Sequence, residues 1–249
     1  AHAMQIVLGE LNDGVNPSVQ KIFKDIVVAP GADMPGVAVQ VREYLGVSLE
    51  EQKRWRDSEA ALKKWRDRVE DKGIFVFKDS FKQKDISAFS LLHEEFPVIY
   101  LNNSTAKTRQ IFSLFHELPH ILQGTSGIAK PDDAYIDFLE GDAKRIEVFC
   151  NRFAAEFLVP SGDFEQFLKA DFHDDEVVGD IAGEYKVSRE VILRKVLDRG
   201  RITRGFYEEK AKEWAEQYRK RPKKKGGNSL ATQATYLGER FLSLAFARH

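Results

Sequence analysis

The chain has 249 residues, 43% of them hydrophobic, which is enough to bury a sizeable core in one or two domains. Its formal net charge of −1 excludes a global electrostatic footprint for nucleic acid, so any basic surface must be local. One cysteine excludes an internal disulfide and fits a reducing cytoplasm; no signal peptide and no apolar run of about 18 residues supports secretion or a membrane span.

Ala1-His2-Ala3 ahead of Met4 reads as a cloning scar and is set aside. Residues 4–72 read as an N-terminal helical segment. Its first part, residues 5–33, is poorly patterned, with apolar stretches only at 22–23 and 26–28. From Pro35, P-G-V-A-V-Q-V-R-E-Y-L predicts a helix that ends at Gly46. Ser48 with Glu51 makes a capping-box pattern and opens a long helix to about Asp71, with Trp55, Leu62 and Trp65 on its buried side. Gly73 ends that helix. G-I-F-V-F-K, I-S-A-F-S-L-L and F-P-V-I-Y-L-N then predict three short strands, joined by turns at residues 79–85 and 93–95. His93, beside two acids, reads as part of a solvated turn rather than a second metal site.

The third strand leads through Asn102, Asn103 and Ser104 into R-Q-I-F-S-L-F-H-E-L-P-H-I-L-Q. Its apolar residues recur at helical spacing, and Gly124 follows where the helix would stop. His116, Glu117 and His120 form H-E-x-x-H. Residues four apart share a helix face, so the two imidazoles can hold one ion. Zinc suits such ligands and in catalytic sites keeps a position open for water. Glu117 would then take that water's proton. Pro119 lies between the ligands and predicts a kink, since it removes an amide and crowds the carbonyl of Phe115.

Residues 123–141 read as a connection long enough to be a functional loop. It carries Asp132, Asp133, Tyr135 and Asp137, and Tyr135 there reads more readily as a packed ring than as an oxyanion donor. The following stretch, D-A-K-R-I-E-V-F-C-N-R-F-A-A-E-F-L-V-P, has helical periodicity closed by Pro160. Glu147 lies near its apolar face, where a carboxylate is costly unless paired or bound to metal, and it is the best candidate for a third ligand. Glu140, Asp142 and Glu156 are rivals with weaker placement.

Beyond Pro160, residues 161–249 form a mostly helical C-terminal region in this reading. His173 stands in an acidic stretch that suits a helix start. Residues 176–202 have the outline of a helix-turn-helix, with Ser188 as N-cap and Arg189, Arg194 and Lys195 on the second helix. A simple packing hairpin fits the same pattern. A helix over residues 203–219 follows and runs into a basic linker, residues 219–225, with Arg219, Lys220, Arg221, Lys223, Lys224 and Lys225. Such a run is a solvated linker or a phosphate-binding site, and Trp214 and Tyr218 nearby could stack single-stranded DNA as an activator. Residues 229–248 resume as one amphipathic helix that runs to the chain's end, as if the natural protein continued.

F-S-L-F-H-E-L-P-H followed by E-V-F-C-N-R-F-A-A-E-F-L-V-P resembles the ImmA/IrrE family of bacterial zinc metallopeptidases. The likeness extends more loosely over residues 36–202. It implies an α+β, zincin-like core at residues 73–160: a small three-stranded sheet packed on helices, with an edge strand bordering the cleft. It implies one zinc per chain held by His116, His120 and Glu147, with Glu117 as base. It also implies a protein substrate, a helix-turn-helix repressor whose cleavage switches on stress, defence or mobile-element genes in the cytoplasm. Two departures stand out: Pro119 replaces a small residue, and Cys150 replaces the usual Ala before Asn151. The alternatives are a DNA-binding regulator with a structural zinc, or a peptidase activated by nucleic acid.

Overall fold

The computed structural model describes residues 1–29, 31–81, 83, 85–130, 138–220 and 229–247. Two helices, α1 (His2–Leu11) and α2 (Ile22–Asp25), occupy the stretch with little sequence pattern. The third, α3 (Met34–Leu45), starts where the Asp33 carboxylate accepts the Gly36 amide and stops at Gly46, whose φ of 66° suits glycine. The Ser48 hydroxyl accepts the Glu51 amide at 3.1 Å, as its capping pattern predicts. The single helix expected from there to Asp71 is instead two, α4 (Leu49–Arg54) and α5 (Ser58–Asp71). Trp55 leaves helical geometry at ψ 139°, and Asp57 caps the new start by accepting the Ala60 amide at 2.8 Å. The break places the Trp55 ring edge-on to Trp65 at 4.9 Å, and both are buried.

The three expected strands form as β1 (Phe75–Asp79), β2 (Ala88–Leu91) and β3 (Val98–Asn102), followed by α6 (Lys107–Leu122). A fourth strand, β4 (Gly127–Ala129), lies in the stretch read from sequence as a connection. Three residues beginning with glycine are too short to show a period of two. The sheet is therefore four-stranded, in the order β1-β3-β2-β4, with β1 parallel to β3 and the other pairs antiparallel. β3 is therefore central, and β4 is an edge strand beside the motif helix, as the expected edge at the cleft requires.

Side chains alternate across the sheet. Val76, Ala88, Ile99 and Leu101 join the larger core with α5, α6 and the next helix, α7 (Gly141–Leu158). In that core Trp65 meets Phe115 at 4.8 Å, and Phe115 stacks on Phe157 at 4.1 Å. Aromatic contacts of this kind hold α5, α6 and α7 together, each buried ring contributing about 1.5–3 kcal/mol by area alone. The opposite face, with Phe75, Phe77 and Val98, forms a smaller core with Leu8 of α1 and Phe241 from the C-terminal end.

The remaining chain forms α8 (Ser161–Phe164), α9 (Asp175–Tyr185), α10 (Arg189–Asp198), α11 (Arg204–Lys220), α12 (Ser229–Leu237) and α13 (Glu239–Ala247). The last two replace the single helix expected over residues 229–248. They separate at Gly238, with φ 90°, where a Cβ would lie 2.1 Å from the Arg66 guanidinium. That guanidinium donates to the carbonyls of Thr235 and Tyr236, satisfying the end of α12.

Candidate metal centre

Helix α6 runs unbroken through Pro119, and the two histidine ring centroids lie 5.3 Å apart on one face. Both side chains are buried at the contact between α6 and α7. From α7, Glu147 brings Oε2 to 3.2 Å from His116 Nε2 and Oε1 to 3.5 Å from His120 Nε2. A ligand atom from each of the three residues lies within 4.8 Å of the others. The two Nε2 atoms are buried, and neither makes a hydrogen bond. Leaving such atoms unpaired costs about 1–3 kcal/mol each, which a shared cation would offset. Two imidazole nitrogens and a carboxylate are the donor set of a zinc site with one open position, so the residues fit that metal.

The surrounding groups set the protonation needed for such a role. His116 Nδ1 lies 2.8 Å from Asn151 Oδ1, an acceptor, so Nδ1 carries the hydrogen and Nε2 presents its lone pair. Burial, together with the neighbouring His116, pushes His120 down to about 4, which keeps it neutral. Burial works against the charged form of His116 as well, but Glu147, Glu117 and Asn151 outweigh it and hold its value raised. A proton would therefore compete with metal at His116.

Glu117 is fully buried, and burial pushes its carboxyl up to about 6 against the pull of His116, Ser90 and the Ala129 amide. Its Oε2 accepts a hydrogen bond from the Ser90 hydroxyl at 2.6 Å, while Oε1 has no partner. Strand β4 closes against this group. A Cβ on Gly127 would lie 2.3 Å from the His120 ring and 2.7 Å from Glu117 Oε2, so only glycine permits the approach.

The rivals to Glu147 are engaged or remote. Glu156 pairs with Lys195 at 2.8 Å and accepts from Ser161, Asp142 pairs with Arg145, and Glu140 is the exposed N-cap of α7. Cys150 is buried with its thiol raised well above normal by desolvation and the nearby carboxylates, but it is not in the ligand cluster. His93 Nδ1 accepts the amides of Glu95 and Phe96, as a turn residue would. His173 lies exposed beside Asp171.

The helix-turn-helix outline has its two helices, α9 and α10, but the cations on α10 face inward or pair locally. Lys195 is buried on Glu156, Arg194 pairs with Asp198, and Arg189 stacks 4.4 Å from the Trp214 ring while bonding Asp175 and Gln217. Trp214 is itself buried and donates to Asp175, whereas Tyr218 remains exposed. Arg219 and Lys220 end α11 on the surface. Arg221, Lys223, Lys224 and Lys225 lie outside the described residues, as do Asp132, Asp133, Tyr135 and Asp137.

Sequence reasoning missed Ser90, Gly127 and the role of Asn151. The one available signal was Ser90 itself, a hydroxyl at an inward position of an otherwise apolar strand.

The family model Peptidase_M78, described as the IrrE N-terminal-like domain, matches residues 69–197, which is more than half of the chain. No curated protein matches. Among solved structures, a Mycobacterium tuberculosis transcriptional regulator aligns at 18% identity with a TM-score of 0.44, covering 66% of this chain and 47% of that one. The aligned part thus spans about half the length of that regulator.

Proposed function

The chain belongs to the IrrE N-terminal-like family of peptidases, and from that premise we propose that it is a zinc-dependent endopeptidase acting on one specific protein partner. The observation that carries the proposal is the meeting of two unpartnered imidazole nitrogens and a carboxylate beside Glu117, whose second oxygen is free. When bound, zinc would supply a Lewis acid that polarises the scissile carbonyl and makes a water molecule acidic. His116, His120 and Glu147 would hold it, with Asn151 fixing the His116 tautomer. Glu117 accepts the proton of the attacking water on Oε1 and returns it to the leaving amine.

The partner we propose is a helix-turn-helix repressor, with cleavage switching on stress, defence or mobile-element genes in the cytoplasm. The inward-turned cations of α10 favour this reading over a regulator that binds DNA through that helix. The test is co-expression with a helix-turn-helix protein encoded by the neighbouring gene. Wild type should cleave it. Glu117→Gln, which offers no carboxylate base, should slow cleavage by at least about a hundredfold while keeping its zinc. Undiminished cleavage by Glu117→Gln would refute the mechanism.

A further inference from the structure

Ser90 stands on β2, fully buried, on the sheet face that meets α6. Its oxygen accepts the Gly127 amide at 3.0 Å, and its single hydrogen goes to Glu117 Oε2 at 2.6 Å. With Glu117 ionised the direction is fixed, because an amide can only donate and a carboxylate can only accept. The other carboxylate oxygen, Oε1, is buried with no hydrogen-bond partner. Packing alone does not call for a hydroxyl here: Ala88, two residues earlier on the same face, is buried as a small apolar side chain.

We propose that Ser90 is a positioning residue for Glu117. By tying down Oε2 it stops the carboxylate from rotating and leaves Oε1 as the oxygen that exchanges a proton with the reacting groups. Through the Gly127 amide, the same hydroxyl registers the base against β4, an edge strand of the sheet. A shift of β4 therefore changes the aim of the base. This inference rests on the metallopeptidase reading above.

The test uses the zinc-loaded protein and acetohydroxamate, a zinc-chelating probe that also hydrogen-bonds a neighbouring carboxylate. Calorimetry gives its affinity, and metal analysis gives zinc per chain. Ser90→Ala should keep its zinc and weaken acetohydroxamate about tenfold, the scale of losing one hydrogen bond to a charged group. In a Glu117→Gln background the same substitution should add less than about twofold, because its effect passes through that carboxylate. Ser90→Cys keeps the volume with a weaker donor and should fall between wild type and Ser90→Ala; it decides the matter if Ser90→Ala does not fold. Wild-type affinity in Ser90→Ala or Ser90→Cys at full zinc would overturn the proposal. So would equal losses with and without Glu117, the mark of a packing role. A wild-type protein that takes up no zinc would instead overturn the metallopeptidase reading on which it stands.

Discussion

His116 shows how one hydrogen bond would prepare the proposed metal ligand. Its Nδ1 faces Asn151 Oδ1, so the lone pair is on Nε2, the nitrogen nearest Glu147. Asn151→Ala removes that orientation, and the zinc dissociation constant should rise about tenfold to a hundredfold with the fold retained. Competition against a chelator measures it, and an unchanged constant would mean the imidazole is held by packing alone. The H-E-x-x-H spacing was legible in the sequence because helical geometry alone places His116 and His120 together. Glu147 was legible as a carboxylate near an apolar face. Asn151 and Ser90 were not, because their roles exist only once α7 and β2 pack against α6.

Between elements, β4 carries the least sequence signal and the tightest constraint. Gly127 brings its backbone against His120 and Glu117 where no Cβ fits. Gly127→Ala must push β4 or the His120 ring aside, at about 1–3 kcal/mol. Zinc affinity should fall together with the melting temperature, and a variant with wild-type zinc affinity would show that the strand moves freely. The breaks at Trp55 and Gly238 were similarly hidden. Each interrupts a pattern that continues on both sides, and each is set by a distant partner: Trp65 for the first, Arg66 for the second. Pro119 lies within a continuous α6 whose neighbours are buried, so the surrounding core tolerates the lost amide.

Across the whole molecule, the chain spends stability on a buried lysine. Lys78 of β1 is 8% exposed, and its ammonium has no ion pair or hydrogen bond among the described residues. Burial pushes it down to about 7, helped by Arg66 and Lys107 and opposed by Glu59 and Glu70. The folded value lies below the unfolded one of 10.5, so between them the unfolded chain holds a proton that the folded chain lacks. Stability from this residue therefore rises as pH climbs from about 7 towards 10.5, and the full cost of the buried charge is present below about 7. Lys78→Met should raise the melting temperature strongly at about pH 6 and little at about pH 10. Equal gains at both values would show that the lysine stays charged in the fold. None of the described helices is long and apolar enough to cross a membrane.

The proposed function depends on a metal held where α6 meets α7. Metal analysis of the purified protein beside its Glu147→Ala variant is the most direct test. One zinc per chain is expected in the wild type, and less than about a tenth of that in the variant after dialysis. Wild type without zinc, or a variant that keeps a full complement, would contradict the assignment.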